Sequence, residues 1–87
     1  YSINKIHNVL RKFHKKNQFV KILNINSLIS TNDVINTNDC HISVCKTKFS
    51  DKIVLLSSID NLIKGGAGQA IQNMNILNNF NINIGLK

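Results

Sequence analysis

One stretch holds most of the chemistry this sequence offers: Asp60-Asn61-Leu62-Ile63-Lys64-Gly65-Gly66-Ala67-Gly68-Gln69-Ala70-Ile71-Gln72-Asn73-Met74-Asn75. Asp60 suits a helix N-cap, its carboxylate accepting first-turn amide hydrogens, and the residues after it include no proline and few β-branched side chains. A helix over 60–75 is therefore expected. Gly65, Gly66 and Gly68 oppose it, each costing roughly 0.5–1 kcal/mol relative to alanine inside a helix. Such a cost implies that something must approach the backbone closely. Gly66, Ala67 and Ala70 lie three and four apart, leaving a face nearly without side chains where another backbone or a flat ligand fits. Amides of the first turn would point toward the same region and suit a polar ligand.

A dinucleotide fingerprint is set aside. Gly66-Ala67-Gly68 begins like one, but Ile71 stands where the third glycine belongs, and a capping aspartate is a poor seat for pyrophosphate. A helix whose small residues serve only tight packing is the plain alternative. Elsewhere, His7 and His14 sit two turns apart with no carboxylate or cysteine near them in sequence, and read as surface histidines rather than metal ligands. Cys40 and Cys45 fall on opposite faces of an alternating strand. Neither a shared metal nor a bridge between them is expected, and Cys45 near His41 is not enough for a nucleophile.

The elements that must position the stretch are legible upstream of it. Ile3, Ile6, Leu10 and Phe13, widened by Val9, give a helical stripe with Lys5, Arg11, Lys12, Lys15 and Lys16 around the other side, an amphipathic helix over 2–17 capped by Ser2. Strands are expected over 18–24, too apolar for one solvated face, and over 40–47 and 53–59, the last two joined as a hairpin by a turn at 48–52. Residues 26–39, rich in Asn, Ser, Thr and Asp, read as the one long loop, placed to line a site.

The chain has 87 residues and a formal net charge of +7, with no Glu, Pro or Trp. That length allows one small domain. Asn and Ile supply about a third of it, a bias away from ordinary usage that suits AT-rich coding. Codon drift and the loss of glutamates can give the same basic balance, so a nucleic-acid partner is not expected on charge alone, and a small basic nucleic-acid-binding domain is kept as the alternative reading. No apolar run has the length of a membrane span and the first residues lack a secretion signal, so a cytoplasmic protein is expected.

Read in order, residues 60–75 resemble the carboxy-terminal signature of the N-acetyl-gamma-glutamyl-phosphate reductases. The shorter Asp60-Asn61-Leu62 with Lys64-Gly65 also resembles aspartate-semialdehyde dehydrogenases, while Gln69-Ala70 and Gln72 to Asn75 favour the former family. Phe19-Val20-Lys21 is similar to a family segment in which proline stands at Gln18. Val34-Ile35-Asn36-Thr37-Asn38 resembles another in which glycine stands at Asn36, and Asn79 also replaces a usual glycine. Asn tolerates positive φ, so both bends are expected to survive.

The resemblance implies an α+β fold: residues 1–59 as the end of a mixed-sheet interface domain like that of glyceraldehyde-3-phosphate dehydrogenase, and 60–87 as a helix and tail returning to a Rossmann domain. It implies NADP as cofactor, a small acyl phosphate as substrate, and a homo-oligomer. A catalytic cysteine and histidine would lie in an amino-terminal part upstream of Tyr1. The expectation is thus the carboxy-terminal portion of a larger enzyme, unable to catalyse alone. Asn61 would approach the nicotinamide carboxamide, a like group offering donor and acceptor. Gly65 and Gly66 would be the close-approach backbone, and Lys64 an electrostatic contact or a solvated side chain.

Overall fold

A computed structural model describes residues 2–49 and 51–87. The order is helix α1 (Ile3–Phe13), strand β1 (Val20–Ile22), a 3-10 turn (Thr31–Asp33), strands β2 (Cys40–Lys46) and β3 (Ile53–Ile59), a wide π-type turn (Ile63–Ala67) and helix α2 (Gly68–Leu77). This is the expected α+β class. The strands form one mixed sheet in the order β1-β2-β3. β1 runs parallel to β2, Val20 beside Cys40, and β2 runs antiparallel to β3, from Cys40 opposite Ile59 to Lys46 opposite Ile53.

Helix α1 is shorter than the expected 2–17. Ser2 adopts the extended N-cap conformation, but its hydroxyl caps nothing. At the other end the Asn17 carboxamide bonds His14 Nδ1 at 2.8 Å while the Asn17 amide reaches the His14 carbonyl at 2.9 Å. Such local bonding of an Asn side chain competes with helix and turns the chain toward β1. His7 is not a surface histidine. It is buried, its Nε2 2.7 Å from the Leu23 carbonyl, and so ties α1 to the end of β1. Along the apolar stripe Ile3, Ile6 and Leu10 are half-buried, whereas Val9 and Phe13 stay exposed.

Strand β1 is also shorter than the expected 18–24, yet its contact with β2 continues irregularly: the Leu23 amide donates to Ile42 and the Asn26 amide to Val44, both at 2.9 Å. Asn26 has φ 64° there, which ends the regular ladder. β2 stops one residue before the expected 47, and β3 spans the expected 53–59. The expected turn at 48–52 includes Ser50, which lies outside the described residues.

Among the described residues Phe19, Val34 and Val44 are the buried hydrophobic side chains, joined by buried His7, Asn38, Ser43, Ser58 and Asn75. Val34 anchors the long loop, and Asn36 beyond it takes φ 61° as expected of a glycine substitute. Asn79, at φ 58°, does the same after α2. The tail then folds back. Asn75 Nδ2 donates to the Ile82 and Ile84 carbonyls at 3.0 Å each, and the Asn38 amide donates to the Lys87 carbonyl at 3.1 Å.

Candidate functional site

The helix expected over 60–75 is not continuous. It breaks at Gly66, whose φ −145° and ψ −112° are non-helical, and the segment before the break winds wide. The amide of Gly65 reaches back to the Asp60 carbonyl at 3.2 Å and that of Ala67 to Leu62 at 3.1 Å, both spanning five residues. These two wide bonds bridge the kink between the turn after Asp60 and α2.

Asp60 organises the turn by a contact that local sequence does not show. Its Oδ1 accepts the Leu62 amide and its Oδ2 the Asn36 amide, each at 2.9 Å. These bonds, that from Asn36 foremost, hold the carboxyl below its ordinary range. The capping aspartate therefore docks the long loop onto the turn as well. Its bond to the Leu62 amide is the first-turn contact expected of a capping aspartate.

Asn61 is exposed beside an open depression of about 360 Å³ that it shares with Thr31, Ile35, Ile59, Asp60 and Leu62. Its side-chain carbonyl lies against Gly65, where an added Cβ would come within 2.8 Å of Oδ1. Gly65, Gly66, Ala67 and Ala70 are all exposed, so the side-chain-poor face is open. Gly68 is different. It is buried, and a Cβ there would meet Asn38 Oδ1 at 2.5 Å and both Ile63 Cγ2 and the Ile63 carbonyl oxygen at 2.6 Å. Two glycines of the trio serve an open surface and the third serves packing.

Lys64 departs from the other three candidates and is not merely solvated. Its Nζ donates to Gln72 Oε1 at 2.7 Å and lies 5.5 Å from the Phe19 ring centroid. The same Gln72 oxygen accepts Asn38 Nδ2 at 2.8 Å. Burial lowers the Lys64 pKa against the opposing pull of Cys40 and Asp39. Asn61, Gly65 and Gly66 thus come together, while Lys64 is tied inward. Gln72, Asn38 and Asn75 are organisers that sequence reasoning misses; only their place in or near an amide-rich stretch marks them.

Cys40 and Cys45 are free thiols. At about 3.3 Å per strand residue they stand roughly 17 Å apart, and His41 lies roughly 13 Å from Cys45, too far for a dyad. Burial pushes the Cys40 thiol pKa up, and nearby Lys64 offsets part of that rise. Cys45 Sγ rests 3.6 Å from Ser43 Oγ and 3.9 Å from the Ser27 carbonyl, a structural setting. Among the described residues no group of three or more His, Cys, Asp or Glu could hold a metal ion, and no helix is long and apolar enough to cross a membrane.

Comparison with known proteins adds to this geometry. Residues 1–61 match the family model described as "Semialdehyde dehydrogenase, dimerisation domain". An N-acetyl-gamma-glutamyl-phosphate reductase of Clostridium botulinum is 46% identical over 84 residues, covering 97% of this chain and 24% of the relative. Relatives of the same name are 48% identical over 77 residues in Geotalea daltonii, covering 88% of this chain and 22% of the relative, and 37% identical over 87 residues in Staphylococcus aureus, covering 100% and 25%. The chain spans about a quarter of the length of the curated relatives it matches.

Proposed function

Because the chain belongs to the semialdehyde dehydrogenase dimerisation-domain family, we propose that it is the carboxy-terminal portion of an NADP-dependent N-acetyl-gamma-glutamyl-phosphate reductase. In this reading the complete enzyme works in the cytoplasm and uses NADPH to reduce N-acetylglutamyl 5-phosphate to the semialdehyde, releasing phosphate, in arginine biosynthesis. The catalytic cysteine and histidine belong to the remaining amino-terminal part. Residues 1–59 complete the interface domain and 60–87 return to the Rossmann domain. Val54, Leu55, Leu56 and Ile59 of β3 are exposed, which supports a homo-oligomer built through this sheet.

One observation carries the cofactor assignment: the Asn61 amide lies on the Gly65 backbone beside an open depression, next to exposed Gly66 and Ala67. A carboxamide of the nicotinamide type finds there both a donor and an acceptor, with bare main chain for a flat ring. In the complete enzyme Asn61→Ala is expected to weaken NADPH binding about tenfold, the loss of roughly one hydrogen-bonded contact. Titration of cofactor fluorescence measures this, and unchanged affinity with unchanged turnover would refute the assignment. Assaying N-acetylglutamyl phosphate against aspartyl phosphate with the same enzyme separates it from an aspartate-semialdehyde dehydrogenase.

A further inference from the structure

We propose that Gln72 is a positioning residue, holding the turn at 60–68 in the shape that presents Asn61. The proposal rests on the NADP-binding role of Asn61 for its consequence in catalysis, and on geometry alone for the hold itself.

Lys64 can only donate, so the Gln72 oxygen must face it, and Asn38, bonded to that same oxygen, must present its amide nitrogen. This fixes Asn38 Oδ1 in the opposite direction. There it is buried with no hydrogen-bond partner, against Gly68, where no Cβ would fit. The charge of Lys64 thus sets the orientation of two amides in succession, and the second closes on the first residue of α2.

The same chain of contacts reaches beyond the turn. Asn38 is fully buried; its side chain bonds Gln72 of α2 and its backbone amide bonds Lys87, so the loop at 34–38, α2 and the tail meet at one residue. The loop residue Asn36 is in turn bonded to Asp60. Asn61 therefore lies between two anchors: Asp60 to Asn36 on one side, and Lys64 to Gln72 and Asn38 on the other. Without the Gln72 oxygen, a half-buried ammonium and a buried amide both lose their acceptor, and the second anchor opens.

The test compares Gln72→Leu with Gln72→Glu in the complete reductase, since glutamate keeps an acceptor toward both donors. Gln72→Leu is expected to raise the KM for NADPH about tenfold while kcat falls less than about threefold, and Gln72→Glu to stay within about twofold of wild type. Amide hydrogen exchange in Gln72→Leu should quicken across 60–68 and leave the β2–β3 hairpin unchanged. In the double variant with Asn61→Ala, affinity should fall no further than in Asn61→Ala alone, because the two act through one contact. Should Gln72→Leu fail to fold, Lys64→Met, which removes the charge but keeps a side chain of similar length, is expected to give the same KM and exchange changes.

Unchanged exchange at 60–68 in whichever variant folds would overturn the proposal, as would a fully additive double variant. An Asn61→Ala enzyme of normal affinity would instead sink the cofactor reading, while faster exchange in Gln72→Leu would still uphold the hold of Gln72 on the turn.

Discussion

Asp60 joins two segments 24 residues apart through one carboxylate, and its titration should be visible in stability. Its folded pKa is depressed, first by the Asn36 amide and then by Leu62. The stabilisation is therefore complete above the ordinary carboxylate range near about pH 4, and is lost as pH falls through that range toward the folded value. Asp60→Asn keeps one carbonyl acceptor but loses the charge. Urea midpoints at pH 7 and at pH 3 should show wild type ahead of Asp60→Asn at neutral pH and the gap closing in acid; a constant gap would mean that the carboxylate bonds contribute nothing through charge. At this scale the sequence is readable where a residue type carries its own conformational preference, as Asn36 and Asn79 do at positive φ. It is opaque where a side chain answers a distant group. Nothing around His7 announces a carbonyl sixteen residues away.

Among elements, the hairpin and α1 can be read from alternation and stripe, but their ends cannot, because Asn17 and Asn26 redirect the chain by bonds that composition does not reveal. The break at Gly66 escapes for a related reason. Propensity favours an unbroken helix, and the wide turn becomes preferable when Asp60 binds Asn36 and Lys64 is drawn to Gln72. The three glycines then separate by environment, and alanine at each should give a different result. Gly68→Ala drives a Cβ into Asn38 and Ile63 and should destabilise by about 1–3 kcal/mol, as overpacking does. At Gly66 the Cβ meets only the Asn61 carbonyl oxygen at 3.5 Å, an ordinary contact, so crowding there should cost little. Gly65→Ala confronts the end of the Asn61 side chain, which can swing away; its cost should fall on cofactor affinity and spare the melting temperature. Thermal melts and NADPH titrations on the three variants check the pattern, and a melting temperature for Gly68→Ala equal to that of wild type would contradict the packing assignment.

For the whole molecule, the surface is too large for the chain. A self-contained 9.8 kDa protein would expose about 5,200 Å², and this one exposes 6340 Å². The radius of gyration points the same way, 14.6 Å against about 12 Å for a compact domain of this length. The difference in area, about 1,100 Å², exceeds the roughly 800 Å² that one partner buries in an ordinary stable interface. Part of the apolar surface lies on β3, where Val54, Leu55, Leu56 and Ile59 are exposed along a strand at the edge of the sheet. An exposed apolar edge also offers unpaired backbone groups, so it recruits another chain unless covered. The 87-residue chain in isolation should accordingly sediment above its 9.8 kDa monomer mass. Leu55→Lys places a charge at the most exposed of these four positions and should shift the distribution toward monomer. A wild-type chain that sediments as monomer and unfolds in one cooperative step would show instead that this surface needs no cover.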